Sequence, residues 1–132
     1  MPVEWVEVLA VFVVCHLVGD FLLQTDWQAR HKPGGLGPDP VARRALAQHI
    51  ATYALAFAPA WLWIASERGW LAALIAAAVV LPHAIQDDGR LVSAYMIGVK
   101  RVDPVGAPTL AVFVDQAFHA VALFGAACLV AL

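Results

Sequence analysis

Four of the five histidines, His16, His49, His83 and His119, sit inside long apolar stretches, and Asp20, Asp87 and Asp115 share those stretches. The spacing is regular. His16 is followed by Asp20 and Gln24 at four-residue steps, His83 by Asp87, and Asp115 precedes His119 by the same step. Residues four apart lie on one face of a helix, so three segments each present a carboxylate and an imidazole together. Without a nearby thiolate, such donors suit Zn²⁺, Fe²⁺ or Mn²⁺. A carboxylate one turn from a ligating histidine can instead accept from its other ring nitrogen and fix its tautomer. The candidate ligands are His16, Asp20, His49, His83, Asp87, Asp115 and His119, with Gln24 and Gln116 as supporting groups. Seven exceed one tetrahedral set, so either two ions bind or one ion is backed by some of these residues.

Other chemistries compete for the same residues. The set can form a purely structural network of hydrogen bonds between helices, and paired histidines can hold a b-type haem, although three nearby carboxylates suit haem poorly. Cys15 neighbours His16 but points about 100° away around a helix, outside the site. Asp26 and Asp88 read as solvated boundary charges, and the aromatic residues as packing and interface residues.

Elements of membrane type must carry the cluster. Hydrophobic residues make up 62% of the 132 and charged ones 14%, with a mean hydropathy of +0.76. A soluble domain of this size cannot cover so much apolar surface with so few charges, so lipid is the expected solvent. An ionised aspartate at a helix centre in lipid costs about 2.5–3.5 kcal/mol, so three of them require compensation. The reading is a single all-α membrane domain over 1–132, a four-helix transmembrane bundle with spans at about 3–24, 45–66, 70–87 and 109–132. Asp39-Pro40 reads as a helix cap with proline at the first position. Pro59 should kink the second span by freeing the Leu55 carbonyl. Residues Thr25 to Asp39 read as a polar loop, and Arg90 to Val99 as a short interfacial helix before the last span. Met1 to Glu7 carries Glu4 and Glu7 and no Lys or Arg, so the first apolar run is expected to stay in the mature protein. Cys15 and Cys128 read as free, buried thiols.

Charge sets the orientation. Seven of the eight basic residues fall in two loops, Arg30, Lys32, Arg43 and Arg44 in the first and Arg90, Lys100 and Arg101 in the third. By the positive-inside rule both loops are cytoplasmic and both termini face out. Trp5, Trp61, Trp63 and Trp70 then form an outer aromatic belt, with Trp27 at the inner face. The fourth span runs against the first and third, and its reversed Asp115–His119 order keeps each aspartate nearer the cytoplasm and each histidine one turn deeper. His49, near the start of the second helix, lies at similar depth. All four helices thus deliver polar groups to one layer of the inner leaflet. The net charge of −2 with no basic cluster makes nucleic acid an unfit partner.

The run His16-Leu-Val-Gly-Asp20-Phe-Leu-Leu-Gln24-Thr-Asp26-Trp27, then His49, His83-x-x-x-Asp87 and Asp115-Gln116-x-x-His119, resembles a family of small bacterial membrane proteins, domain of unknown function 3307. The resemblance covers nearly the whole chain and implies a bacterial cytoplasmic-membrane protein, without implying an activity. A looser similarity, to small membrane-bound metal-dependent hydrolases, implies hydrolysis. The leading function is therefore a metal-dependent membrane hydrolase acting on membrane lipid. Asp87, nearest the aqueous boundary, is the general base, and the Arg90–Arg101 segment holds an anionic headgroup. From other classes come a non-catalytic metal- or proton-handling subunit of a larger membrane complex, or a homo-oligomer, and a structural bundle with an internal polar network.

Overall fold

The computed structural model describes residues 4–132, all-helical in architecture; the expected start of the first span at Val3 lies outside the described residues. Helix α1, Trp5–Leu17, runs on as a wider π-helical turn, Val18–Leu23. Then follow α2 (Asp26–His31), α3 (Pro40–Ala56), α4 (Ala58–Arg68), α5 (Leu71–Asp87), α6 (Arg90–Tyr95, extended by a π-turn Met96–Lys100) and α7 (Pro108–Ala131). Among the described residues two stretches are unbroken and apolar enough to cross a membrane, Trp5–Leu23 and Pro108–Ala131. A third qualifies only as a pair bent by 64°, Leu71–Asp87 with Arg90–Lys100.

The second expected span is two helices. The ladder breaks at Phe57, whose N–H reaches back to Tyr53 and Ala54 carbonyls at 3.3 and 3.2 Å. Pro59 sits in the first turn of α4, where its missing N–H costs no helical bond. The break therefore falls two residues before the proline. The stretch expected as a polar loop contains α2, started by a capping box in which Thr25 Oγ1 accepts from Gln28 N and Gln28 Oε1 accepts from Thr25 N.

The apolar core fills the half of the molecule away from α2. Phe12, Tyr53, Phe57 and Ile64 are fully buried there against Val79 of α5 and Leu123 of α7. Ala126 and Ala127 let α7 approach its neighbours closely. Leu22, Leu55, Leu62, Phe113 and Val121 instead point outward, an apolar exterior that suits lipid. Gly19 allows a close approach: a Cβ there would meet the Tyr53 ring at 2.6 Å. Both cysteines are free, Cys15 buried and Cys128 half-buried.

The opposite end holds α2, α6 and the first and third loops together. Gly34 N donates to the Asp88 carbonyl at 2.8 Å and Leu36 N to Asp88 Oδ1 at 2.7 Å. Asp88 is thus buried and not the solvated charge its position suggests, whereas Asp26 is exposed in a pair with Arg30. Burial pushes the Asp88 carboxyl up, but the Arg90 guanidinium and the Leu36 N–H outweigh it and hold the group below the ordinary carboxylate range. A lowered folded-state pKa stabilises the protein above the ordinary value and stops doing so as pH falls through the lowered one. Asp88→Ala is expected to cost about 1–3 kcal/mol by orphaning the Leu36 N–H. Detergent-phase melting curves should show a loss that shrinks on acidification.

Candidate metal centre

The π-turn after α1 delivers Asp20, the third turn of α3 delivers His49, and the last turns of α5 deliver His83 and Asp87. Their side chains converge. His49 Nε2 lies 2.7 Å from Asp87 Oδ2, 3.3 Å from Asp20 Oδ1 and 3.1 Å from His83 Nε2. His83 Nε2 is 3.2 Å from Asp87 Oδ2 and 3.5 Å from Asp20 Oδ1. Two ligands about 2.0–2.1 Å from a tetrahedral Zn²⁺ lie about 3.3 Å apart, so the four separations of 3.1–3.5 Å are near the edges of a metal's donor set, while the 2.7 Å between His49 and Asp87 is a hydrogen-bond length. All four residues are buried, and Asp20 Oδ1 has no hydrogen-bond partner among the described residues. The group can hold a metal ion.

A second group adjoins it through Asp87. Oδ1 of Asp87 is 3.5 Å from His119 Nε2, and donor atoms of Asp87, Asp115 and His119 all lie within 4.8 Å of one another. Asp115 is the one carboxylate of the set with appreciable exposure, 27% of its side chain.

His16 stands behind these groups. Its Nδ1 accepts from the Tyr53 hydroxyl at 3.1 Å and its Nε2 donates to Gln116 Oε1 at 3.0 Å. Both ring nitrogens are thus engaged, and the nearest Asp20 oxygen is 3.7 Å away. Gln116 Nε2 also donates to Asp115 Oδ2 at 3.3 Å. Gln24 leaves the helical stripe, because the chain turns extended there, yet its Oε1 accepts from Lys32 at 2.6 Å. His31, the fifth histidine, is exposed and stacks on Trp27.

Two participants escaped the sequence reading. Tyr53 stacks on His83 with ring centres 3.4 Å apart and planes within 9°, so it orients that imidazole from the side. Its signal was present: Tyr53 is one turn beyond His49. Lys32 looked like a loop charge, but Nζ donates to Asp87 Oδ2 at 2.8 Å. No spacing rule points to it; the turn at Pro33-Gly34 folds it back. Asp87 is thereby the hub of the cluster rather than a spare carboxylate. With neutral histidines, three carboxylates against one ammonium leave two uncompensated negative charges in a largely buried site.

A cavity of about 350 Å³ reaches the cluster from the α2 and α6 side, lined by Lys32, Gln86, Asp87, Ser93 and Asp115 among others. A larger hollow of about 510 Å³ along α3 touches none of these groups.

Residues 8–131 match the family described as protein of unknown function, DUF3307. The chain belongs to this family. No curated protein and no solved structure matches it, so the looser likeness to hydrolases has no counterpart among these comparisons. The DUF3307 match spans every residue of the cluster, from His16 to His119, and includes Lys32 and Tyr53.

Proposed function

We propose that the protein is a metal-dependent hydrolase of the bacterial cytoplasmic membrane, with a divalent ion held by Asp20, His49, His83 and Asp87 and a membrane lipid as substrate. One observation carries this reading: four buried donors from three helices, spaced like a metal's ligand shell, lie beside a cavity that admits a substrate group. Zn²⁺, Fe²⁺ or Mn²⁺ fits the donor set and cancels its two surplus negative charges. Such an ion supplies Lewis acidity and eases the ionisation of water. His16 is a positioning group, held by Tyr53 and Gln116. An aspartate whose oxygens face an ion is a poor proton acceptor, so the base role expected of Asp87 passes to Asp115, which lines the cavity. Lys32 offers a charge partner for an anionic headgroup there.

The proposed topology has α1, α3 with α4, α5 and α7 as four spans with both termini outside. It is supported by the close packing of the Lys32–Leu36 turn on Asp88, which gathers the two basic loops at one end. A single cysteine at the exposed Val105, in a Cys15→Ala/Cys128→Ala background, should resist impermeant thiol reagents added to intact cells. Labelling from outside would reverse the orientation.

For the activity, metal-loaded protein incubated with bacterial lipid extract should release lipid products detectable by mass spectrometry. Turnover should stop with a chelator and fall about 10²–10⁴-fold in Asp115→Asn, the range for a general base. A specific observation favours a second reading, a non-catalytic metal-handling subunit: the four donors already complete a tetrahedral set and leave that ion no open position. Stoichiometric metal without turnover on any lipid would select it.

A further inference from the structure

Asp87 turns its two oxygens toward different partners. Oδ2 faces His49, His83 and Lys32, whereas Oδ1 faces His119. The protonation of His119 is fixed from its far side, because Nδ1 lies 2.9 Å from the main-chain carbonyl of Asp115. A carbonyl oxygen only accepts, so Nδ1 carries the proton and Nε2 of the neutral ring keeps a lone pair. That lone pair is buried, has no hydrogen-bond partner among the described residues, and lies 3.5 Å from a carboxylate oxygen, Asp87 Oδ1. Two acceptors facing one another need a cation between them. A shared proton would draw nitrogen and oxygen to about 2.7–2.9 Å. The observed 3.5 Å is instead near the edge length of a metal's donor set, about 3.3 Å.

We propose that His119, Asp115 and Asp87 hold a second divalent ion, with the Asp87 carboxylate bridging it to the first. The proposal rests on the metal-centre reading above. It assigns the two ions different work. The first has four protein donors and is closed. The second has three, and Asp115 and Asp87 both line the cavity, so its free positions open where a substrate enters. With this ion in place Asp115 is a ligand, and activation of water passes from the carboxylate to the ion pair. Charge predicts the order of filling. The first ion neutralises the cluster, and the second leaves it positive, so the second binds more weakly and favours an anionic group, of phosphate or carboxylate type, from the cavity.

Titration of the metal-free, full-length protein in detergent with Mn²⁺ alone tests this through stoichiometry and electron paramagnetic resonance. The expected result is two ions per chain, the second at least about tenfold weaker, with an exchange-coupled spectrum appearing only as the second binds. His119→Gln should bind one ion, with the spectrum of an isolated ion and first-site affinity within about threefold of wild type. Asp115→Asn, at a more exposed position, should do the same and serves if His119→Gln fails to fold. A wild type that binds one ion overturns this inference and leaves the first site standing. Two uncoupled ions overturn the bridge, and retention of both ions in His119→Gln and Asp115→Asn overturns the assignment. No binding at all overturns the metal-centre reading itself.

Discussion

Asp87→Ala is expected to lose the bound metal and to melt far below the wild type even before metal is added. The carboxylate sits at the centre of the cluster, 2.7 Å from His49, 3.2 Å from His83 and 2.8 Å from Lys32, with its side chain 1% exposed. Removing one member of a buried ion pair costs about 3–5 kcal/mol, because the partner stays behind without a counter-charge. Here Lys32 is that partner. A bound ion adds about 2.7 kcal/mol of stability at a hundredfold excess over its dissociation constant, and the variant forfeits this as well. Both losses are large against a total stability of about 5–15 kcal/mol. Elemental analysis of purified protein and melting curves with and without a chelator separate the two contributions. His16→Ala is the comparison, since its ring nitrogens are spent on Tyr53 and Gln116; it should destabilise while retaining metal. Asp87→Ala with undiminished metal content would place any ion elsewhere. A wild type without metal, whose melting no added Zn²⁺, Fe²⁺ or Mn²⁺ shifts, would leave a hydrogen-bond network as the explanation of the cluster.

The cluster was legible in the sequence because helical periodicity assigns faces. The pairs His16–Asp20, His83–Asp87 and Asp115–His119 each place two groups on one face, and the reversed order on α7 matches its reversed direction. All seven candidates lie in or against the observed cluster. Periodicity does not give the register between helices, so it could not tell that His16 would spend its nitrogens on Tyr53 and Gln116. It also could not separate the groups that face Asp87 Oδ2 from those that face Oδ1. Local backbone chemistry was harder still. The π-turn over Val18–Leu23 and the break at Phe57 depend on how neighbouring helices pack, for Gly19 and Tyr53 meet at that turn. The capping box at Thr25–Gln28 was readable from residue types, but Pro33-Gly34-Gly35 drew the whole segment into the category of loop. Asp88 shows the same limit, since adjacency to a span end says nothing about which loop folds over it.

Lys32→Met is expected to move two measurements in opposite directions, melting of the metal-free protein down and metal affinity up. In the metal-free protein the ammonium is the main counter-charge of Asp87, donating to Oδ2 at 2.8 Å and to Gln24 Oε1 at 2.6 Å with only 14% of the side chain exposed. Losing that charge-assisted bond should cost about 1.5–3 kcal/mol. Methionine keeps the length and fills the same space, so the loss is mainly electrostatic. Once an ion is present the same ammonium becomes a competitor, because it holds an oxygen that the ion needs and adds like charge within a few ångströms. Two unit charges about 4 Å apart repel by about 4 kcal/mol at an effective dielectric of 20, and the ion carries two. Swinging the flexible side chain into the cavity relieves most of this repulsion. A residual of about 1.4–2.7 kcal/mol remains, equal to a ten- to hundredfold gain in affinity for the variant. Lys32→Arg, which keeps the charge, should gain nothing. A purely structural polar network predicts only the first half, a less stable protein with no affinity to raise. Weaker metal binding in Lys32→Met would mean that the ammonium supports the ligand set instead of competing with the ion, and the charge account of this centre would fail.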